Sequence, residues 1–226
     1  MARLTVIADD LTGALDTGVQ FANRCVSVRV AAVHGTAAVH EELFQADVAV
    51  IDAEVRHRSR QEAYKICLEL VQQALRCGTD SVYIKTDSGL RGNIGAMFQA
   101  ALDASGAAAA YYAPALPRMN RLTRGGIQYI DGVPINESVF GKDPFEPVRS
   151  PYIKDLFKKL SGRGRHLPAP QSAASTAEWS TDRHLRRRER HGTSSTLARN
   201  CSARNSLKNL GWLCGICSGA AALPGA

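Results

Sequence analysis

Nine consecutive residues, Lys85-Thr86-Asp87-Ser88-Gly89-Leu90-Arg91-Gly92-Asn93, set a carboxylate, two cations and three side-chain hydrogen-bond formers around two glycines. Polar density of that kind serves a ligand better than a core. The segment follows the apolar run Ser81-Val82-Tyr83-Ile84 and precedes helical spacing over residues 94–102, which predicts a turn between a buried strand and a helix. In open α/β sheets ligands bind there. A second cluster, Ile7-Ala8-Asp9-Asp10-Leu11-Thr12-Gly13, falls at the predicted end of the first strand. Helix capping accounts for Asp10 or Thr12 and leaves the neighbouring acid unexplained. Arg56 closes a third such run, Asp52-Ala53-Glu54-Val55-Arg56. Its guanidinium suits a bidentate grip on a carboxylate or phosphate, and a solvated arginine beside Glu54 is the competing reading.

On one edge of a doubly wound sheet these loops would bring Asp9, Asp10, Thr12, Arg56, Lys85, Thr86, Asp87, Ser88, Arg91 and Asn93 to one pocket. The mixture predicts a small, hydroxylated, anionic ligand: cations for its acid group, Ser, Thr and Asn for its hydroxyls, and an aspartate to accept a proton. No phosphate loop of the G-x-x-x-x-G-K-[ST] or G-x-G-x-x-G kind is present, and Gly125-Gly126 reads as a turn. Asp9-Asp10-Leu11-Thr12 differs from Asp-x-Asp-x-Thr in having adjacent acids. Neighbours at a strand end are expected to point to opposite sides, so no metal site is predicted.

The elements that must position these residues alternate along the first 135 residues. Strands are expected over 4–8, 26–33, 47–52, 81–86 and 107–113, and helices over 13–24, 37–44, 59–76 and 93–104. The 59–76 segment is the clearest, with Ala63, Ile66, Leu70 and Ala74 on one stripe and Ser59 three residues before Glu62 as a capping pair. This alternation predicts an α/β fold with a doubly wound parallel sheet in three layers (α/β/α). An appended β-hairpin, 127–130 with 133–135 about Asp131-Gly132, and a short amphipathic helix over 154–160 follow.

Beyond residue 165 the composition changes. Residues 166–226 hold no Val, Phe, Tyr or Met, and 8 Lys+Arg against 3 Asp+Glu, whereas residues 1–165 hold 20 against 18. The net charge of +7 thus comes mostly from the tail, where Arg186-Arg187-Arg188-Glu189-Arg190 has no apolar partner face. The tail is expected to be disordered, without strand or helix pattern, and to be out-of-frame translation of a longer gene. A nucleic-acid role for the arginine run is set aside because no aromatic platforms accompany it. Six scattered cysteines, the lack of a membrane-length apolar stretch and the absence of a signal pattern predict a cytoplasmic protein with no membrane partner. Cys67 and Cys77 read as small core residues, and Cys214-x-x-Cys217 lacks the partners of a zinc site.

Together these motifs resemble the four-carbon acid sugar kinase family, which phosphorylates acids such as threonate, erythronate and 3-oxo-tetronate. The resemblance runs through Ile7 to Ala14, Asp16-Thr17-Gly18, the nonapeptide, Pro114-Ala115-Leu116-Pro117, Gly132-Val133-Pro134 and Asp143-Pro144-Phe145-Glu146-Pro147-Val148. It covers about residues 3 to 160. It implies that residues 1–165 are the sugar-acid-binding N-terminal domain, with substrate contacts at Asp10, Arg56 and Lys85 to Ser88. Arg91 would bind the acid or the transferring phosphoryl group, and the base would be Asp10 first, Asp87 second. ATP and Mg2+ would serve the intact enzyme. Family members are about twice as long, and nothing after residue 164 resembles their glycine-rich nucleotide half. The chain is therefore expected to be truncated and inactive alone, or else a stand-alone binding module or an acceptor subunit for a separate nucleotide-binding chain. Two departures stand out: Gly89 replaces a usual Thr, and Asn120 replaces a usual Gly before Arg121.

Overall fold

The computed structural model describes residues 1–35, 39–107, 109–160 and 215–217. Four parallel strands, β1 (Leu4–Ala8), β2 (Val28–Ala32), β3 (Val48–Asp52) and β4 (Ser81–Lys85), lie in the order β2-β3-β1-β4. Every residue of β1 and β3 is buried. Strands covered on both faces read as near-continuous apolar runs, as LTVIA and VAVID do.

Helix α1 (Leu11–Ala22) covers one face, where Ala14 and Phe21 meet Val6, Val48 and Val50. Helices α2 (Arg60–Arg76) and α3 (Ile94–Ser105) cover the other, packing Ile66, Leu70, Met97 and Phe98 with Ile7, Ile51 and Ile84. Each such large side chain contributes roughly 1.5–3 kcal/mol of hydrophobic stabilisation. The three layers are those expected from the alternating pattern. In α2 the stripe Ala63, Ile66, Leu70 and Ala74 is buried, and the capping box at Ser59 and Glu62 is formed in both directions.

A second sheet, antiparallel, consists of β5 (Arg121–Arg124), β6 (Ile127–Ile130) and β7 (Val133–Pro134). The hairpin about Asp131-Gly132 is present, and Gly125-Gly126 forms the other turn. Asn120 is left-handed (φ 52°), a geometry that asparagine tolerates better than most residues.

Four expectations are corrected. The described residues of 107–113 form no strand; alanine favours sheets weakly, and Tyr112 is instead held edge-on against Phe98 and Phe157 at 5.3 and 5.5 Å. The appended hairpin has a third strand, β5, whose sequence RLTR lacks apolar alternation. The helices expected over 37–44 and 154–160 are the 3-10 segments Glu41–Gln45 and Ile153–Leu160, the first being too short to sustain an α-helical nucleus. Finally, the tail does contain one strand, β8 (Gly215–Cys217), antiparallel to β4. Three residues of backbone pairing leave no periodic signature. The remaining expectations for residues 166–226 lie outside the described residues.

No helix among the described residues is long and apolar enough to cross a membrane. Cys67, on the buried face of α2, is fully buried, and burial pushes its thiol up to about 12. It is inert core.

Candidate active site at the carboxyl edge of the sheet

Three loops leave the carboxyl ends of β1, β3 and β4 side by side. The first places Asp9 against β4 through Asp9 N–H to the Lys85 carbonyl at 3.1 Å, while the Asp9 carbonyl accepts from Val55 N–H and Arg56 N–H. Asp10 is the N-cap of α1: its Oδ1 accepts from Gly13 N–H at 2.7 Å. That satisfies one of the donors every helix start leaves open.

Arg56 joins the acids. Its Nε and Nη2 donate to the two oxygens of Asp9 at 2.9 and 3.0 Å, and its Nη1 donates to Asp10 Oδ2 at 2.6 Å. The expectation that adjacent acids diverge is thus corrected: Asp10 has left the strand to cap the helix, and its second oxygen turns back to the same guanidinium. The Asp9 side chain is 1% exposed and that of Asp10 is 26% exposed, so only Asp10 presents a carboxylate to solvent. Burial raises the Asp9 pKa above its ordinary 3.8 despite Arg56. For Arg56 burial acts the other way, yet the hydrogen bond and charge of Asp9, with the charges of Asp10 and Asp87, push its pKa up.

In the third loop Asp87 Oδ2 accepts from Arg91 Nε at 2.5 Å and Oδ1 from Gly89 N–H at 3.1 Å. Burial alone would raise this carboxyl; the Arg91 and Gly89 hydrogen bonds and the Arg91 and Arg56 charges outweigh it and hold it below 3.8. Arg91 also donates to Asp143 Oδ2 at 3.3 Å, across from the segment after the second sheet. Lys85 Nζ donates to the Thr86 carbonyl at 3.0 Å, beside Gly13 at the start of α1. Asn93 is a brace rather than a free donor: its amide nitrogen donates to the Val55 and Arg58 carbonyls at 3.0 and 2.7 Å, tying the β3 loop to the start of α3. Gly92 (φ 84°) lets the chain pass Arg56, whose Cγ would lie 3.1 Å from an added Cβ.

Sequence reasoning missed the layer beneath this loop. Ser88 Oγ accepts from Arg121, and the Ser88 carbonyl accepts from the buried Gln128 at 3.2 Å. Phe140 lies between Arg91 and Arg121, whose guanidinium carbons are 5.0 and 5.3 Å from the ring centre. The ring occupies the space of a residue-89 side chain: a Cβ there would approach it to 2.5 Å. Gly89 and Phe140 are thus a matched pair. Gly89→Ala should cost about 1–3 kcal/mol in a thermal melt, and Phe140→Ala in the same chain should recover most of it. Equal losses with and without the ring would mean that Phe140 is not the obstacle. Asp143 carried a signal within the quoted 143–148 motif, and Arg121 as the residue after Asn120; Gln128 looks like an ordinary hairpin residue.

Two clefts flank Arg56, which lines both. A smaller one, about 240 Å³, is bounded by Asp9, Asp10, Thr12, Glu54 and His57, and a larger one, about 420 Å³, extends past Arg91 to the segment after residue 145. Of the predicted residues, Asp9, Asp10, Thr12, Arg56, Arg91 and Asn93 line one cleft or the other; Lys85, Thr86, Asp87 and Ser88 line neither.

A parallel α/β domain with acids and arginines gathered at its carboxyl edge is the architecture of a small-ligand-binding domain. The chain belongs to the family described as sugar-binding N-terminal domain, matched over residues 4–211. It is 38% identical over 159 residues to D-threonate kinase of Salmonella typhimurium, covering 68% of this chain and 36% of that protein. It is 30% identical over 157 residues to D-erythronate kinase of Heliobacterium modesticaldum, covering 69% and 36%. A Bordetella bronchiseptica domain of unknown function, solved with bound citrate as a domain-swapped dimer, superposes with a TM-score of 0.60 at 30% identity, covering 69% of this chain and 39% of that one. The chain thus spans well under half the length of these relatives. Its homologues are four-carbon acid sugar kinases.

Proposed function

We propose that this domain binds a four-carbon sugar acid and presents one of its hydroxyls as acceptor in an ATP-dependent kinase reaction. The observation that carries the reading is the Asp9–Arg56–Asp10 arrangement, in which the buried acid fixes the guanidinium and the guanidinium fixes the exposed acid. Asp10 is the base. Each of its oxygens already accepts one hydrogen bond and keeps capacity for another, so a substrate hydroxyl can donate to it and pass it the proton. Asp87 is the weaker candidate, because its carboxyl is held below its ordinary pKa and engaged by Arg91. Lys85 and Arg91 offset negative charge beside the acceptor.

When bound, ATP supplies the phosphoryl group. Among the described residues no group of three or more His, Cys, Asp and Glu could hold a metal, and the two adjacent acids are turned onto Arg56, so these residues do not fit magnesium. Nucleotide and metal are held, in this reading, outside these residues, and the described domain by itself binds the acid without transferring phosphate to it.

Isothermal calorimetry of the full chain with D-threonate tests the reading. Binding is expected with or without ATP, and Asp10→Ala should weaken it about 10- to 100-fold, the range for losing a hydrogen bond to a charged group. Unchanged affinity in that variant would misplace the pocket, and phosphothreonate formed by the purified chain would refute its inactivity.

A further inference from the structure

Helix α1 carries an apolar stripe away from the candidate site's acids. Leu11, Leu15 and Val19, spaced four residues apart, are each about half exposed. The helix has one charged residue, Asp16, which lies about 100° round from Leu15. Two glycines show which way the stripe leans. A Cβ on Gly13 would meet Lys85 Nζ at 3.2 Å, on the β4 side, whereas one on Gly18 would meet Val30 and Val28 of β2 at 3.5 and 3.6 Å and Val50 of β3 at 3.8 Å. At about 100° per residue the stripe falls on the Gly18 side and overhangs β2.

Strand β2 is itself the outermost parallel strand, and no other described strand pairs with its outer side. Val48 N–H donates to the Ser27 carbonyl at 3.0 Å and Val33 N–H to the Asp52 carbonyl at 2.9 Å. The odd-numbered residues therefore bond to β3, and the backbone groups of Val28, Val30 and Ala32 point outward. Native edges are usually blunted by charge, proline or a bulge. The one charge of β2, Arg29, is on the face away from α1, where its guanidinium donates to the Glu42 carbonyl. Val30 stays 41% exposed.

The geometry points to a second copy of this chain as the occupant of this face: two β2 strands pair antiparallel about a two-fold axis beside Val30, and the two α1 helices meet above them. The pattern is self-complementary. Val30 falls opposite Val30 of the second copy, Val28 opposite Ala32, and Arg29 opposite Ala31, so no like charges are directly opposed. Gly18 lies at the height of Val28 and Val30, and Leu15 is three residues nearer the carboxyl edge. That rise of about 4.5 Å brings Leu15 level with Val30. The axis that pairs Val30 with itself therefore pairs Leu15 with itself, and Leu11 with Val19. Because Gly18 faces both β2 and β3, α1 lies above the gap between them. With strands about 4.8 Å apart, the two helices would be about 10 Å apart, an ordinary helix-packing distance. An unrelated partner would require none of this symmetry.

Sedimentation velocity of the full chain over a dilution series tests the pairing, with wild type, Leu15→Glu, Leu15→Lys and an equimolar mixture of the two variants. Wild type should dimerise. Each variant alone sets like charges across the axis and should raise the dimer dissociation constant roughly 100-fold. The mixture should recover dimer, because opposite charges then meet at the same point. Circular dichroism melts of both variants should match wild type diluted to monomer, since Leu15 is exposed in the single chain. A wild type that stays monomeric at every concentration would overturn self-pairing and leave the face to a different partner. A dimer that both variants leave intact, or a mixture of folded variants that stays monomeric, would overturn the axis through Leu15 and Val30.

Discussion

Replacing Arg56 by methionine should lower the melting temperature by about 10 °C. The guanidinium makes three hydrogen bonds to two carboxylates, and the Asp9 side chain is 1% exposed. Removing one partner of a buried pair leaves the other as an uncompensated charge, at a cost of about 3–5 kcal/mol. In a domain of this size each kcal/mol shifts the melting temperature by about 2–4 °C. The charge, not the lost packing, should dominate: Asp9→Asn added to Arg56→Met should restore a large part of the loss, because the amide needs no counter-ion. Arg56→Lys keeps the charge but not the planar fork and should fall between. If Arg56→Met melts within about 2 °C of wild type, the ion pair does not organise the edge of the sheet.

The second large effect is expected at Asp87. Asp87→Asn should destabilise by about 1.5–3 kcal/mol at neutral pH, as it removes a charge-assisted bond to Arg91 from a side chain 8% exposed. The loss should depend on pH with a definite sign. The folded pKa of Asp87 lies below 3.8, so the folded state binds this proton less readily than the unfolded chain. Its stabilisation is complete above the ordinary value of 3.8 and disappears as pH falls through the lower folded value. The gap in melting temperature between wild type and Asp87→Asn should therefore be constant above about pH 5 and narrow below pH 3.8. Asp9, whose pKa is raised, has the opposite slope, favouring the folded state at low pH and losing that advantage as pH rises through its folded value. A gap that widens on acidification would mean that Arg91 does not hold Asp87 in its charged form.

Much of this arrangement could be read in the chain because it depends on order along the sequence. Strand-end acids before a helix, and a polar nonapeptide between an apolar run and a helical pattern, fix which edge of the sheet Asp10, Arg56 and Asp87 share. What they do to one another was not legible. That Asp9 and Asp10 both face Arg56 depends on Asp10 leaving the strand to cap α1, a backbone turn of one residue that side-chain alternation does not anticipate. Asn93 had the composition of a ligand reader and proved to be a brace, since its carbonyl partners at Val55 and Arg58 lie 38 and 35 residues away. Gln128 and Phe140 carry no local pattern either. They matter only because the small sheet is folded against the Ser88 loop, a contact over 40 residues in the case of Gln128.

The Asn93 brace has a consequence for recognition. It fastens the loop bearing Arg56 to the start of α3, while Leu90, left-handed and buried, pins the turn before it. Asp10, Arg56 and Asp87 therefore hold their relative positions before any ligand arrives, so little further ordering entropy is required of these groups at the moment of encounter. An edge assembled this way is a rigid template. With a sugar acid as the proposed ligand, it should discriminate among acids by where their hydroxyls fall, and epimers that differ at one carbon should separate in affinity through dissociation rate more than through association rate.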